Sequence, residues 1–428
     1  MASDQQKSIK MKYKIAAPPI IDTIVNLPAS KSISNRALVI HAFTKGTVKP
    51  DNLSDCDDTE VIVNALRDMP PVIDIKAAGT AMRFMTAFLA CTTSGEHIIT
   101  GTERMRHRPI GILVDALRRL GADITYKGAE GYPPLLINGR QLDGGHIEVP
   151  GNVSSQYISA LLIAGAAMRN GLELHLTGDI ISRPYIDLTL CTMRDFGAKV
   201  EWTGPDTIEV KAHPYQPTPY LIENDWSSAS YWYEILALNG MEESKVRLNG
   251  LTDGSRQGDS VARYLFSLLG VKTTFDVKEK GVPTTVTLKC HPPKLPRLEF
   301  SFVNQPDLTQ TYVVTCALLG IHFHFKGLST LRIKETDRIE ALKIEMAKLG
   351  YVVESNTNND LIWDGKRCQA DIHPTIDTYD DHRMALAFAP AAAKISGLRI
   401  NNPTVVTKSY PHYWEDLQLA GFKIEEEP

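Results

Sequence analysis

Several signatures that place a chain in a common protein class are missing from these 428 residues. The six cysteines are scattered and form no C-x-x-C pair, which predicts reduced thiols, a cytoplasmic location and no zinc site. Residues 1–15 lack the apolar core of a signal peptide, and the longest apolar run, residues 158–168, is too short to span a bilayer. No glycine-rich phosphate loop, no GxGxxG after a predicted strand and no GxSxG is present. These absences argue against secreted and membrane proteins and against the commonest nucleotide-binding and hydrolase classes.

A strong net charge is absent as well. The formal net charge is −4, and 43% hydrophobic and 22% charged residues are typical of a globular protein. A broad nucleic-acid surface would need a basic chain, so we expect no nucleic-acid partner, and we expect no membrane partner either. The length suits two domains, each with a core of its own. Any anion binding must therefore come from a local arrangement of charged side chains.

Internal repetition is what the sequence does contain. One pattern is a helix ending in an apolar residue, followed by glycine and a short β-rich run, and it recurs at a spacing of roughly 70–80 residues. Its glycines are Gly121, Gly197, Gly270, Gly350 and Gly421. Glycine at this point predicts a left-handed residue that caps the helix before the next strand.

A second pattern has a polar start, a long apolar helix and a strand bounded by glycine. Its six copies cover residues 30–50, 79–101, 153–178, 226–250, 307–327 and 381–402. Together the two patterns predict an α/β chain of six tandem units. The proline-rich segment 213–223 falls between the third and fourth copies, so we expect it to link two domains of three units each.

Unusual polar clusters fall at the starts of these helices. The densest is LRIKETDRIEALK, residues 331–343, which places two cations and two carboxylates within five positions. Serine and aspartate are ordinary helix caps, and an isolated charge cluster is usually a solvated face. Arginine is different, because a cation at a helix N-terminus opposes the helix dipole. The arginines near predicted helix starts are Arg36, Arg83, Arg108, Arg183, Arg338 and Arg383.

Free backbone N–H groups together with arginine forks form sites for phosphate or carboxylate. If the units pack with their helix N-termini facing one cleft, that cleft will bind a polyanionic substrate. We therefore interpret the cluster at residues 334–338 as part of a site.

Nine segments extend this interpretation. They are LPASKSISNRAL, AGTAMRF, RMRHRPIG, VSSQYISALL, SRPYIDLTL, DWSSASYW, KETDRIEAL, YDDHRMALAF and VVTKSYPHYW. In content and order they resemble blocks of the 5-enolpyruvylshikimate-3-phosphate synthase family, from about residue 27 to 413. The resemblance implies two domains, each of three βαβαββ units with helix N-termini facing an interdomain cleft. It also implies that residues 28–223 form a domain inserted into the other, which consists of residues 1–27 and 224–428.

The family's reaction transfers the enolpyruvyl group of phosphoenolpyruvate to the 5-hydroxyl of shikimate 3-phosphate, by addition and elimination, and releases phosphate. By resemblance, Glu335 is the acid at the methylene carbon and Asp307 is the base at the hydroxyl. Lys31 stabilises the phosphate and the transferred proton. A carboxylic acid used in proton transfer needs a tuned pKa, which explains cations beside it. No metal and no organic cofactor is implied, and the expected partners are the two substrates of a monomer whose domains close around them.

The binding residues are carried over from the same blocks. For shikimate 3-phosphate they are Lys31, Ser32, Arg36, Ser154, Ser155, Gln156, Ser182, Tyr185, Asp307 and Lys334. For phosphoenolpyruvate they are Lys31, Gly79, Arg108, Gln156, Arg338, Arg383 and Lys408. Because arginine forks match carboxylate and phosphate oxygens in pairs, we expect lysine to be a poor substitute at the three phosphoenolpyruvate arginines.

The sequence departs from the family's blocks at three positions. Ala77 and Thr330 replace asparagines, and Phe84 replaces the proline that usually follows Arg83. The Thr330 change affects the expected contacts of the shikimate ring. The other two lie at the helix that starts at Gly79, on the phosphoenolpyruvate side. Glyphosate inhibits the family by occupying that side and is the longer molecule, so we expect a shifted helix to reduce glyphosate sensitivity.

Two other functions remain open from the sequence. A related family transfers enolpyruvate to UDP-N-acetylglucosamine on the same fold. It has a reactive cysteine in the loop equivalent to residues 104–109 and an asparagine beside the first lysine; this chain has no cysteine in that loop and Ser32 after Lys31. A non-catalytic anion-binding module on the same fold is the second alternative. Intact Lys31, Asp307 and Glu335 argue against it.

Overall fold

The computed structural model describes residues 11–92, 95–277 and 279–428. Its strands are β1 (Lys12–Ala16), β2 (Asp22–Asn26), β3 (Val72–Asp74), β4 (Glu96–Thr100), β5 (Asp123–Tyr126), β6 (Leu135–Asn138), β7 (Gly145–Pro150), β8 (Leu172–Thr177), β9 (Val200–Trp202), β10 (Thr207–Val210), β11 (Lys245–Thr252), β12 (Val271–Phe275), β13 (Pro283–Cys290), β14 (Arg297–Ser301), β15 (His322–Lys326), β16 (Leu361–Trp363), β17 (Thr375–Ile376), β18 (Leu398–Asn401) and β19 (Lys423–Glu427).

The helices alternate with these strands. They are α1 (Lys31–Thr44), α2 (Asp57–Asp68), α3 (Gly79–Cys91), α4 (Glu103–Arg106), α5 (Gly111–Arg119), α6 (Ser155–Gly165), α7 (Arg183–Asp195), α8 (Trp226–Asn239), α9 (Ala262–Leu269), α10 (Thr309–Leu319), α11 (Arg338–Lys348), α12 (His382–Phe388) and α13 (Tyr413–Leu419). Short 3-10 turns cover Gly258–Val261, Pro306–Leu308, Ser329–Ile333, Ala389–Ala393 and Pro403–Lys408. Helices α1, α3, α6, α8, α10 and α12 are the six apolar helices that the sequence predicts. Within the residues that the structure describes, every helix is too short or too polar to cross a membrane.

Most units share one sheet pattern. In the sheet β7-β8-β10-β9, β7 pairs in parallel with β8, while β10 is antiparallel to both β8 and β9. The order β3-β4-β6-β5 repeats it, so strand and helix alternate as βαβαββ along the chain. The sheet β14-β15-β16 has only three named strands, and a bridge from Glu354 to Ile362 replaces the fourth. The predicted α/β fold of repeated units is thereby confirmed.

Two strands from the start of the chain complete sheets in its second half. Strand β2 pairs in parallel with β11, which makes it the first strand of the unit that contains α8. Strand β1 lies between β18 and β19 and is the last strand of the final unit. The first unit of the inserted region is reduced: among the described residues it has α1, α2 and isolated bridges at Ala29–Asn224 and Asp51–Leu221.

The glycines of the first repeat have the conformation that their position requires. Their φ angles are +100° at Gly121, +84° at Gly197, +106° at Gly270, +88° at Gly350 and +96° at Gly421. Each follows a helix and precedes a β-rich segment, so the prediction of left-handed caps is confirmed.

The buried apolar side chains form two separate cores. One draws its residues from positions 15–27 and 226–422, and the other draws them from positions 29–222. The segment 213–223, which the sequence predicts as a linker, packs against both the first and the third unit. Tyr215 is buried and its hydroxyl donates to Ile163 O on α6 at 2.9 Å, while Asp51 N of the first unit donates to Tyr220 O at 2.8 Å. Composition does not predict this packing, because proline and polar residues are common in linkers and in packed irregular backbone alike.

Candidate functional site

Helix starts from both halves of the chain converge on one cleft. Most residues that the sequence predicts as catalytic or substrate-binding line it: Lys31, Ser32, Arg36, Gly79, Arg108, Ser154, Ser155, Gln156, Ser182, Tyr185, Asp307, Lys334, Glu335, Arg338 and Arg383. The space between the lining residues, including its open mouth, is about 1060 Å³. Lys408 does not line the cleft and lies behind Glu335, with its Nζ 3.8 Å from Glu335 Oε1.

Positive charge dominates the wall of this cleft. Seven lysine and arginine side chains line it, against three carboxylates. Residues at the N-termini of α1, α3, α6 and α12 also line it, and a helix N-terminus carries partial positive charge. A partly closed space of this kind concentrates field from charges and dipoles of one sign. The cleft is therefore suited to small anions that carry several charges.

Arg338 is the centre of the charged network on the C-terminal side. Its guanidinium donates to Asp381 through Nε (2.7 Å) and Nη2 (3.1 Å), to Asp307 through Nη1 (3.1 Å), and to Glu335 through Nη2 (3.0 Å). The side chain is only 1% exposed. Asp381 also caps α12 by accepting from Arg383 N. One arginine thus fixes the relative positions of the two carboxylates that the sequence names as base and acid.

Asp307 is held as a carboxylate. Its Oδ2 accepts from Arg383 Nη2 at 2.9 Å, and its Oδ1 lies 3.6 Å from Lys334 Nζ. Burial alone would raise the pKa of Asp307, but Arg383, Lys334 and Arg338 outweigh it and hold the pKa well below its usual range. An ionised carboxylate at this place can accept a proton from a hydroxyl group.

Glu335 is ionised in the ligand-free cleft as well. Besides its bond from Arg338, its Oε1 lies 3.8 Å from both Arg108 Nη1 and Lys408 Nζ. Burial would raise the pKa of Glu335, but Arg338, Arg108 and Lys408 hold it well below its usual range. An anion bound to these cations would act in the opposite direction and raise the pKa of Glu335.

A carboxylate that the sequence analysis did not single out links the two lysines. Asp58, in the first turn of α2, accepts from Lys408 Nζ at 2.8 Å and from Lys31 Nζ at 3.3 Å. Burial would lower the pKa of Lys31, but the Asp58 carboxylate outweighs it and the pKa is raised. Lys408 Nζ also donates to Ala77 O at 2.7 Å. Acidic residues are ordinary in a first helical turn, so no feature of the sequence marks Asp58 as part of the site.

Arg36 makes most of its hydrogen bonds within the protein. Its guanidinium donates to Thr189 Oγ1 (2.7 Å), Ser32 O (2.8 Å), Tyr185 O (3.2 Å) and Ser159 Oγ (3.3 Å). Burial lowers the pKa of Arg36 to about 10. These bonds leave one N–H group, so its main contribution is to hold Ser32 and Tyr185 in place.

Phe84 packs against the same arginine. The Arg36 guanidinium lies 5.5 Å from the centre of the buried Phe84 ring. The sequence analysis places Phe84 on the phosphoenolpyruvate side, but its ring packs behind Arg36, a predicted shikimate 3-phosphate residue, and does not line the cleft. Gly79, five residues earlier, lines the cleft beside Arg108. Arg183, also noted at a helix start, stacks on Trp202 at 4.1 Å and does not line the cleft.

Arg108 differs from Arg36, Arg338 and Arg383 in that its guanidinium is not held by short hydrogen bonds to other described residues. Its Nη1 lies 3.8 Å from Glu335 Oε1, and its buried Nε has no hydrogen-bond partner among the described residues. A Cβ added to Gly79 would lie 2.9 Å from Arg108 Nη1 and 3.0 Å from Nη2. Gln156 donates to Thr80 Oγ1 at 3.0 Å, beside this glycine. The absence of a side chain at Gly79 therefore keeps the Arg108 fork in the cleft.

His382 is a further lining residue for which the sequence analysis assigned no role. It is 2% exposed, and neither ring nitrogen has a hydrogen-bond partner among the described residues. Burial, with Lys31 and Arg383 nearby, holds the pKa of His382 well below its usual range, so the ring is neutral. Arg83 and Tyr157 complete the wall next to Arg108. Nothing in the part of the chain that the structure describes groups three metal-ligating side chains together.

Comparison with known proteins was made against families, individual proteins and solved structures. The family model described as EPSP synthase (3-phosphoshikimate 1-carboxyvinyltransferase) matches residues 15–70 and 68–417. A 3-phosphoshikimate 1-carboxyvinyltransferase of Bacteroides fragilis is 55% identical over 415 residues, 97% of this chain and 99% of that protein. One of Haemophilus influenzae is 35% identical over 442 residues, covering 96% of this chain and 99% of that protein.

Solved structures share the fold at lower identity. EPSP synthase from Acinetobacter baumannii matches with a TM-score of 0.77 and 21% identity, covering 98% of this chain and 100% of that one. The enolpyruvyl transferase NikO from Streptomyces tendae matches with a TM-score of 0.70 and 18% identity, covering 98% and 99%. At these identities the structural likeness concerns the fold alone.

Proposed function

The chain belongs to the EPSP synthase family, and on that premise we propose which side chains of the cleft carry out each step of the reaction. The enzyme transfers the enolpyruvyl group of phosphoenolpyruvate to the 5-hydroxyl of shikimate 3-phosphate, in aromatic biosynthesis, and releases phosphate. The observation that carries the assignment of roles is the sharing of one guanidinium, that of Arg338, by Asp307 and Glu335.

The addition step uses both carboxylates. Asp307 accepts the proton of the 5-hydroxyl as its oxygen attacks C2 of phosphoenolpyruvate, and Glu335 donates a proton to C3. Phosphoenolpyruvate brings a carboxylate and a phosphate to the cations around Glu335. This ligand charge raises the pKa of the Glu335 carboxyl at the moment when a proton donor is needed.

The elimination step reverses one of these transfers. Glu335 removes a proton from C3 as the C2–O bond to phosphate breaks, and Lys31 stabilises the departing phosphate. Asp58 supports this role because it lies beside Lys31 and Lys408 and holds both ammonium groups at the edge of the cleft. The charged groups are preorganised in a mainly buried space, where electrostatic stabilisation is strongest.

The two substrates are assigned to different sides of the cleft. We place shikimate 3-phosphate against Lys31, Ser32, Ser154, Ser155, Gln156, Ser182, Tyr185 and Lys334, with Arg36 behind Ser32 and Tyr185. Phosphoenolpyruvate is placed against Lys31, Gly79, Arg108, Gln156, Arg338 and Arg383, with Lys408 reaching it past Glu335. The Arg108 guanidinium, whose Nε has no hydrogen-bond partner among the described residues, supports this second assignment.

Domain limits, assembly and location are also part of the proposal. We assign residues 28–223 to an inserted domain and residues 1–27 with 224–428 to the other, which the two separate cores support. That the protein is a monomer stays a prediction. A cytoplasmic location and reduced glyphosate sensitivity stay predictions.

A phosphate-release assay tests the activity. We expect release only when both shikimate 3-phosphate and phosphoenolpyruvate are present, and none when UDP-N-acetylglucosamine replaces the first. Release with UDP-N-acetylglucosamine would favour the related transferase. Binding of shikimate 3-phosphate in a calorimetric titration without phosphate release would instead favour a non-catalytic module.

A further inference from the structure

The start of α7 is a joint between the two domains. Ser182, which has the unusual φ of +54°, donates through its backbone N–H to Val303 O at 3.0 Å. The turn at residues 258–261 approaches from the other domain. A Cβ added to Gly258 would lie 2.6 Å from Pro184 Cβ. The segment that carries two predicted shikimate 3-phosphate ligands is therefore in close contact with the domain that does not contain it.

Tyr185 is fixed at both ends across this joint. Its carbonyl accepts from Arg36 Nη2 (3.2 Å) and Thr189 Oγ1 (2.8 Å), both in its own domain. Its hydroxyl donates to Asp259 of the other domain, 3.1 Å from Oδ1 and 3.3 Å from Oδ2. The ring between these ends lines the cleft. The position of the ring thus depends on both domains.

Burying the Asp259 carboxylate at this place is unfavourable for the stability of the fold. It is 6% exposed, and among the described residues the Tyr185 hydroxyl is the donor to its carboxylate. Asp307 and Asp225 add negative charge nearby, and Arg383 is the cation that faces it. Burial and Asp307 raise the pKa of Asp259 to about 7. A buried carboxylate with one neutral donor is a poor source of stability, which points to a role in function.

We propose that Asp259 is a positioning residue that holds Tyr185 against shikimate 3-phosphate once the two domains meet. The proposal rests on the assignment of this side of the cleft to shikimate 3-phosphate. Asp259 acts through Tyr185 and does not bind the substrate itself. Its loss should therefore weaken affinity for shikimate 3-phosphate while leaving phosphoenolpyruvate binding and the chemical step nearly unchanged.

The charge of Asp259 gives the contact a pH dependence. The groups that face it are the Tyr185 hydroxyl, Asp307, Arg383 and Asp225. As the pH falls through about 7 the carboxylate is protonated and becomes a weaker acceptor. The ligand phosphate, with a second pKa of about 6, also loses charge in this range. We expect affinity for shikimate 3-phosphate to fall more steeply with falling pH than this loss of ligand charge alone would cause.

The test compares four variants by calorimetric titration and steady-state kinetics. Asp259→Ala and Tyr185→Phe should each raise the Kd for shikimate 3-phosphate about five- to twentyfold, and the double variant should be no weaker than the weaker single variant. In Asp259→Ala, KM for phosphoenolpyruvate and kcat at saturation should change less than about threefold. Asp259→Asn keeps an acceptor oxygen but carries no charge, so at pH 8 it should bind shikimate 3-phosphate about as wild type does at pH 6, and it should lose the extra dependence between pH 6 and 8.

Asp195→Asn is the matched control. Asp195 lies at the other end of α7 and forms an ion pair with Arg256 across the same joint, away from the cleft. It should leave the Kd for shikimate 3-phosphate within twofold. Thermal unfolding of each variant identifies any that does not fold. If Asp259→Ala does not fold, the Kd values of Asp259→Asn and Tyr185→Phe for shikimate 3-phosphate test the proposal.

Three results overturn the proposal. The first is an Asp259→Ala variant whose Kd for shikimate 3-phosphate is within twofold of wild type. The second is an equal loss of affinity for both substrates in that variant. The third is a double variant whose Kd increase is the product of the increases in the two single variants. These results differ from failure of the proposed function, which would show as wild-type protein that neither binds shikimate 3-phosphate nor releases phosphate.

Discussion

Lys408 and Asp58 form a buried ion pair that joins the two domains, with Nζ 2.8 Å from Oδ1. The same carboxylate faces Lys31 through its other oxygen at 3.3 Å. One residue of α2 therefore sets the spacing of two lysines that come from different domains. The two lysines are placed by contacts between domains as well as within them.

Replacing Asp58 with alanine should destabilise this arrangement strongly. Two mainly buried ammonium groups would lose their shared counter-charge, and breaking a buried pair from one side costs about 3–5 kcal/mol. The midpoint of urea unfolding should fall accordingly, together with kcat/KM. Asp57→Asn is the control, because Asp57 accepts from the exposed Thr407 hydroxyl at 2.7 Å and its loss should cost about 1 kcal/mol or less. Equal losses in the two variants would show that Asp58 has no special part in the joint.

Gly79→Ala should affect phosphoenolpyruvate binding rather than stability. The new Cβ would lie within 3.1 Å of three guanidinium atoms of Arg108, and the end of a long side chain can move away. Moving the fork removes a bidentate anion contact, so we expect KM for phosphoenolpyruvate to rise about tenfold, equivalent to roughly 1.4 kcal/mol. The urea midpoint should stay unchanged. Gly204→Ala, whose Cβ would meet nothing closer than 3.8 Å, should alter neither quantity; an unchanged KM in Gly79→Ala would show that Arg108 does not bind this substrate.

The sequence predicted the repeating units because a local pattern produces each of them. An apolar helix with a polar start and a glycine at φ near +90° are local features, and residues such as Gly270 and Gly350 have the expected conformation. The positions of Asp58, Asp259 and His382 in or beside the cleft were missed because they depend on contacts between distant segments. Asp259 meets Tyr185, 74 residues away, and no local pattern marks either residue as half of a pair.

Glu335→Gln should remove proton transfer and leave ligand binding. The amide keeps an oxygen for the Arg338 Nη2 hydrogen bond but cannot donate a proton to C3. We expect kcat to fall by about two to four orders of magnitude, with the Kd for shikimate 3-phosphate nearly unchanged. Glu340→Gln is the control, because Glu340 lies in the first turn of α11, shortly after Glu335, and pairs with Lys343 outside the cleft. A Glu335→Gln variant that retains more than about half its rate would exclude Glu335 from the mechanism.

Glu234 should make the protein less stable as the pH rises. The side chain lies on α8 with no exposed surface, and among the described residues neither carboxyl oxygen has a hydrogen-bond partner. The hydroxyl of the neighbouring Thr315 donates instead to Thr311 O at 2.7 Å. Burial raises the pKa of Glu234 well above its ordinary value of 4.5.

The sign of the pH effect follows from this shift. A carboxyl group whose pKa is higher in the folded state contributes fully to stability below its unfolded pKa and loses that contribution as the pH rises through the folded value. Wild-type protein should therefore lose unfolding free energy between pH 5 and pH 8 relative to Glu234→Gln. Glu234→Leu, which removes the unsatisfied oxygens, should be more stable than wild type at pH 8 by about 1–3 kcal/mol. Urea unfolding at both pH values measures this. Glu299→Gln, at an exposed position of β14, is the control, and its unfolding free energy should depend on pH as that of wild type does. Parallel pH profiles for wild type and Glu234→Gln would mean that the carboxyl group titrates normally, and that its burial imposes no cost on the ionised form.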